Sequence, residues 1–141
     1  MPSLELDQIR RLISGARVAH LGTVDHVRGA HVIPITFALV DDLIVTSVDH
    51  KPKRSRLLRR IGNIERNHDV TVLVDHYEDD WTRLWWCLLS GTARVIYQGA
   101  EFEHAVDALV ARYQQYREVR PSGPVIRIAV TDWTGWAAAE V

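Results

Sequence analysis

Three stretches decide the fold class: Ala19-His20-Leu21-Gly22-Thr23-Val24, then Gly29 to Val40, then Leu43-Ile44-Val45-Thr46-Ser47-Val48, separated by the polar breaks Asp25-His26 and Asp41-Asp42. β-Branched and apolar residues bounded by short turn-forming pairs mark consecutive antiparallel strands joined by tight turns. Pro34 interrupts the second of them. It cannot donate to a ladder, so it marks an edge, a bulge, or a place where the sheet leaves its backbone open to another group. Upstream, Leu6, Ile9, Leu12 and Ile13 recur at helical spacing and Gly15 supplies a stop, which predicts a short helix over residues 4–14.

Downstream, Pro52 suits a first helical turn, and Leu57, Leu58, Ile61 and Ile64 form one stripe behind it, so a helix begins near residue 52. Val70 to Asp75 reads as a buried strand, Glu78-Asp79-Asp80 as a loop, and Leu84 to Tyr97 as a long strand with Gly91 at a bulge. Phe102, Val106, Leu109, Val110 and Tyr113 predict a helix over about 100–116, and Val125 to Val130 a last strand. Six or seven strands with helices at these places do not alternate as βαβ units. The expectation is a mainly β, mostly antiparallel barrel with peripheral helices. A barrel of this size fills its interior with side chains, which puts a small-molecule site on the outer surface or between subunits.

The 141 residues, 47% hydrophobic, suit one domain spanning residues 1–141. Lys+Arg 17 against Asp+Glu 18 leaves a formal charge of −1, so there is no overall field for nucleic acid and any basic site must be local. No apolar run approaches the roughly 20 residues of a membrane span. Residues Met1 to Arg11 lack the layout of a secretory signal. Cys87 has no intrachain partner, which fits a reducing cytoplasm.

The chemistry concentrates between residues 51 and 66, where Lys51, Lys53, Arg54, Arg56, Arg59, Arg60 and Arg66 stand against the single acid Glu65. Helical geometry groups Lys53, Arg56 and Arg60 on one rim and turns Leu57, Ile61 and Ile64 inward. Two readings fit this rim: a solvated basic face, or a seat for phosphate or carboxylate strengthened by the start of the helix. Its position directly after the Thr46-Ser47 strand end favours the second. No metal site is expected, because the seven histidines show no ligand spacing and Asp75-His76 belongs to no recognisable set. No nucleophile elbow or Gly-rich nucleotide loop occurs, and Cys87 in Trp85-Trp86-Cys87-Leu88 reads as buried and inert. The tryptophans at 81, 85, 86, 133 and 136 fit a core or dimer interface, or a wall for a flat ring.

Taken in order, these pieces resemble the split-barrel flavin and deazaflavin oxidoreductases, the superfamily named after pyridoxamine-phosphate oxidase. The resemblance runs through Ala19 to Val24, His31-Val32-Ile33-Pro34-Ile35-Thr36-Phe37, Ile44 to Val48, Arg60-Ile61-Gly62-Asn63-Ile64-Glu65-Arg66-Asn67 and Ser90-Gly91-Thr92-Ala93, and so covers most of the chain. The turn Asp49 to Arg54 and the segment Asp75-His76-Tyr77-Glu78-Asp79-Asp80-Trp81 look like actinobacterial members assigned to coenzyme F-420. The resemblance implies an FMN-binding type of split barrel and a homodimer. It implies that Pro34, Ile35 and Thr36 border a tricyclic ring, that Thr46, Ser47 and Val48 line the ribityl tail, and that Lys51, Lys53, Arg54 and Arg60 hold the phosphate. The family often has lysine where Arg60 stands and proline where His68 stands, so the phosphate register stays open by about one turn. Asn63 is expected to organise the helix end, and Trp81, Trp85 or Trp86 of a second subunit to cover the ring. No catalytic acid or base is expected, since reduced F-420 is itself a hydride donor and the protein chiefly binds and orients it. The implied activity is hydride transfer to a small-molecule acceptor. FMN is the alternative cofactor, and storage or sensing of F-420 the alternative role.

Overall fold

The computed structural model describes the backbone of residues 3–48 and 54–141, and the side chains of all of these except 54–58. The elements run α1 (Leu6–Gly15), β1 (Ala19–Asp25), β2 (Gly29–Ile35), β3 (Ala38–Val40), β4 (Leu43–Ser47), α2 (Arg54–Arg66), β5 (Asp69–His76), a 3₁₀ turn (Trp81–Arg83), β6 (Trp85–Ile96), α3 (Ala100–Arg112), α4 (Gln114–Glu118) and β7 (Val125–Ala137). Seven strands form one antiparallel sheet in the order β2-β1-β5-β6-β7-β4-β3. This is a mainly β split barrel: the strand pattern predicts the antiparallel barrel, and the resemblance its split form.

Three boundaries differ from the sequence reading. The single strand expected over 29–40 is cut at Thr36-Phe37, because Phe37 drops into the core and carries the chain from one sheet edge to the other. The helix expected over 100–116 breaks at Tyr113, whose extended backbone lets its hydroxyl donate to the Phe37 and Arg17 carbonyls. The last strand runs on to Ala137, pairing with β6 through Trp133 and Trp136. Trp133 packs on the core under the Arg10 guanidinium, 5.0 Å from the ring centre, and is committed to structure.

The interior follows strict alternation. Leu21, Val72 and Leu89 stand in register across β1, β5 and β6 and are fully buried, joined by Phe37, Ile44, Ile126 and Ile128. At the bulge the register shifts between Ser90 and Gly91. A Cβ on Gly91 would stand 2.1 Å from the Ala129 carbonyl oxygen, so only glycine lets β6 and β7 meet there. A second core lies outside the barrel, where Phe102, Val106 and Leu109 of α3 cover Ala38, Val45 and Val125. Among the described residues nothing covers the outer face of β2, β1, β5 and β6 in this way. That face presents Val32, Leu88 and Trp86, exposed by 64%, 37% and 41%. Among the described residues no helix is long and apolar enough to cross a membrane.

Candidate functional site

Because β2 is a sheet edge among the described residues, it keeps one row of backbone N–H and C=O groups free of ladder partners there. Pro34 sits on that edge, exposed and opposite His20, while the side chain of its neighbour Ile35 is buried in the barrel. Thr36 follows directly and is held twice: its hydroxyl bonds the Tyr116 hydroxyl at 2.7 Å, and its carbonyl accepts from Thr46 Oγ1 at 2.6 Å. The Thr46 bond joins the end of β2 to β4, bringing together the segments expected to border a ring and to line its tail.

Along the end of β4 and the residue after it, the three expected tail-lining residues part company. Thr46 and Val48 follow the core residue Ile44 on the barrel side, whereas Ser47 follows Val45 on the side that α3 covers. Ser47 Oγ is buried there without a hydrogen-bond partner among the described residues. Val48 donates its N–H to the Pro124 carbonyl, and a Cβ on Gly123 would lie 2.7 Å from the Val48 carbonyl oxygen, so the chain leaving β4 is tightly framed. Lys51 and Lys53, with the rest of residues 49–53, lie outside the described residues; Arg54 opens α2, and its side chain lies outside them too.

Farther along α2 the contacts are explicit. Ile61 and Ile64 enter the barrel core, and between them Asn63, only 2% exposed, donates from Nδ2 to the buried Thr23 hydroxyl at 3.1 Å. The expected helix-end role of Asn63 is thus a bond from the helix to β1. Arg59 approaches the Asp25 carboxylate at 3.8 Å, and Arg66 meets His26 Nδ1 at 3.1 Å. Asp25 is held below the ordinary carboxylate range, first by the Val27 and Arg28 backbone N–H groups and then by Arg59. Arg60 has a different environment. Its Nε is buried without a hydrogen-bond partner among the described residues, and burial pulls its pKa below the ordinary arginine value. His31 faces inward opposite Thr23, and its Nδ1 is likewise buried and unpartnered. The sequence reading passed over Thr23 and His31. Their signal was available: both are polar at positions where alternation turns side chains inward.

Two grooves flank this region. One of about 580 Å³ crosses the uncovered outer face, floored by Gly22, Thr71, Ser90 and Thr131, with His31 and Val32 at its β2 side. The other, about 550 Å³, lies by the 3₁₀ turn, where Glu78 takes hydrogen bonds from His76 and from Arg83, and the His76 ring stacks on Trp85 at 6.3 Å. Glu78 is held below its ordinary range first by the His76 bond and then by Arg83. That cluster satisfies itself. Of the three tryptophans expected to cover a ring, Trp85 packs on the core, whereas Trp86 and Trp81 stand exposed, Trp81 by 68%. Cys87 is fully buried and its pKa is pushed up to about 11 by desolvation, the state of an inert thiol. No cluster of three or more metal-ligating side chains occurs among the described residues.

The arrangement combines an open strand edge, a barrel end crossed by a basic helix, and a desolvated arginine. A profile of the pyridoxamine 5'-phosphate oxidase family matches residues 6–137. The chain belongs to this family. Its fold recurs in solved structures at low identity. A "putative 5-nitroimidazole antibiotic resistance protein" from Bacteroides thetaiotaomicron is 17% identical with a TM-score of 0.75, over 95% of this chain and 86% of that one. The conserved hypothetical protein Rv2991 from Mycobacterium tuberculosis is 15% identical, TM-score 0.78, over 96% and 86%. An FAD-binding protein from Mycobacterium smegmatis is 19% identical, TM-score 0.66, over 96% and 97%. No curated protein matches the sequence. The match to the pyridoxamine 5'-phosphate oxidase family spans β2, β4 and α2, the elements that carry the candidate residues.

Proposed function

We propose that the protein is a homodimeric oxidoreductase that uses reduced coenzyme F-420 to deliver hydride to an electron-poor small molecule, with FMN as the alternative carrier in the same recess. The observation that carries this reading is Arg60. A guanidinium taken out of water, with an Nε that has no partner among the described residues, is costly unless an acceptor meets it, and it stands on α2 within the basic stretch of the sequence. Anionic tail, polar ring edge and flat ring find complementary groups here: arginines of α2 and the lysines that precede them in sequence, free backbone groups on β2, and the Gly22-Thr71-Ser90 trough on the outer face. The M. smegmatis relative, which binds FAD, supports a flavin-type ligand for this fold. F-420 is preferred over FMN because its tail adds carboxylates to the phosphate, which suits seven basic residues better than one phosphate does.

When bound, the reduced deazaflavin supplies the hydride. The chain's own groups do the rest: β2 orients the ring through its backbone, Arg60 neutralises the tail, and burial against a second subunit excludes water. The uncovered face with Val32, Leu88 and Trp86 supports that second subunit. Spectral titration with F-420 and with FMN tests the reading, and tight binding of FMN alone overturns the cofactor choice. Turnover against enones, quinones and tetrapyrroles then separates a reductase from a storage or sensing protein, which binds without oxidation. Sedimentation as a monomer at micromolar concentration would remove the homodimer.

A further inference from the structure

The last turn of α3 gathers three guanidinium groups. Arg117 donates to the Val110 and Ala111 carbonyls, each at 3.0 Å, and Arg17 donates to the Arg112 carbonyl at 3.0 Å. Arg112 itself turns back across the chain, donating to the Phe37 carbonyl at 3.2 Å, to that of Ser14 at 3.0 Å and to that of Ala16. Arg17 and Arg112 also share one aromatic ring: their guanidinium carbons stand 4.6 Å and 5.6 Å from the centre of Tyr113. Capping accounts for part of this charge and not for all of it. The carbonyl end of a helix carries about half a unit of negative charge, against three full positive charges. Among the described residues none of the three arginines is paired with a carboxylate. Arg112 is held below the ordinary arginine range, first by burial, with the charge of Arg17 acting in the same direction. The two like charges therefore repel, and the carbonyls and the ring hold them in place.

A groove of about 440 Å³ adjoins these groups at β3, the strand at the other edge of the sheet. Ala38, Leu39, Ala108 and Ala111 give it an apolar wall, and Arg17 and Arg112 are the charged groups that line it. Ala38 packs toward α3 and Leu39 toward the barrel core, so the groove wraps the edge of β3. Apolar wall and unpaired cations together select a ligand with both characters. Arg17 spends one N–H on the Arg112 carbonyl, and the rest of its planar fork suits a carboxylate. Because the ring and that carbonyl already fix the guanidinium, little side-chain freedom is lost when an anion arrives. We propose that this groove binds a small monocarboxylate with a short apolar body, Arg17 taking the carboxylate and Arg112 adding its charge, while the body covers the alanines and Leu39. An inorganic anion leaves the apolar wall in water, and a neutral alcohol leaves the guanidiniums unmet. The groove shares no residue with the segments expected to hold the cofactor, so its occupancy is independent of the flavin-type reading.

The experiment titrates the full chain with hexanoate, hexan-1-ol and inorganic phosphate, following the Arg17 ¹⁵Nε resonance and the methyl resonances of Leu39, Ala108 and Ala111. Hexanoate is expected to shift the Arg17 and methyl signals together along one saturable curve. Its dissociation constant should be lower than those of hexanol and phosphate by about fivefold or more, the scale of one charge-assisted contact in a partly exposed site. Arg17→Gln removes a single carbonyl contact from an exposed side chain, and should raise the hexanoate constant to that of hexanol while leaving the melting temperature close to the parent's. Arg17→Lys should restore part of the difference. Ala111→Leu, which fills the groove from an exposed helix position, should weaken hexanoate and hexanol alike. The absence of a saturable hexanoate response in the parent overturns the proposal. So does parent-like hexanoate binding by folded Arg17→Gln or Ala111→Leu, and so does hexanol or phosphate matching hexanoate. The comparison of the three probes on the parent needs no variant, so it decides the question even where Arg17→Gln fails to fold.

Discussion

Asn63 and Thr23 offer a measurement of what holds α2 against the barrel. They are 2% and 3% exposed and joined at 3.1 Å, between the core residues Ile61 and Ile64. Asn63→Leu leaves the Thr23 hydroxyl buried with no donor, and Thr23→Val leaves the Asn63 amide without its acceptor. Stranding one buried partner costs about 1–3 kcal/mol, whereas replacing both by apolar groups of similar shape is close to neutral. Each single variant should therefore lose about 2 kcal/mol, and the double variant clearly less than the roughly 4 kcal/mol sum, with a coupling of about 1–2 kcal/mol. Urea unfolding of the four proteins at constant m-value reads this cycle. The bond also sets where Arg60 stands, one turn away, so the single variants should weaken cofactor binding more than their stability loss alone explains. Strictly additive losses in the cycle refute a direct Asn63–Thr23 bond.

Further outcomes follow from other parts of the structure. Lys53→Ala/Arg54→Ala should weaken F-420 binding by about 2–5 kcal/mol with little change in melting temperature, since charge-assisted hydrogen bonds are worth about 1.5–3 kcal/mol each and the pair is not fully additive; a change under about threefold in the titration removes those residues from the site. Gly91→Ala forces a methyl against the Ala129 carbonyl oxygen at 2.1 Å and should destabilise the fold by about 2–4 kcal/mol in a thermal melt, as backbone cannot move aside cheaply. Cys87, with its pKa raised to about 11, should resist alkylation at neutral pH until the chain unfolds. Its folded pKa lies above the ordinary thiol value, so its contribution to stability is full below that value and falls as pH rises toward 11; denaturant midpoints followed across this alkaline window read the sign.

Much of the fold was legible because alternation is a local signal. Leu21, Val72 and Leu89 each sit in a stretch whose pattern names its buried side, and their stacking in one register follows once the strands pair. Gly91 was legible as a bulge for the same reason: a glycine inside a strand marks a close approach, here the Ala129 carbonyl. The break at Thr36-Phe37 was not, because nothing local distinguishes a strand that continues from one whose next residue is pulled into the core. That decision belongs to Arg112 and Tyr113, more than seventy residues away, whose side chains hold the Phe37 backbone. Tyr113 explains the broken helix as well.

The site divides along the same line. The basic run was plain in the sequence, since charge density needs no tertiary information, and the likeness to split barrels supplied an order of segments. Which cations are desolvated is a different matter. Arg59 and Arg60 are adjacent and chemically identical, yet one faces Asp25 from a largely exposed position and the other loses its Nε to burial, a difference of about 100° around the helix. Helical phase fixes the angle between them but not which face meets β1; Asn63 settles that by finding Thr23. His31 is legible by half: alternation with exposed Val32 turns it inward opposite Thr23, but nothing local says that its Nδ1 ends up buried with no hydrogen-bond partner among the described residues. Burial of a particular nitrogen is settled by what packs around it and not by its neighbours in sequence, so neither Arg60 nor His31 announces its state through a spacing motif.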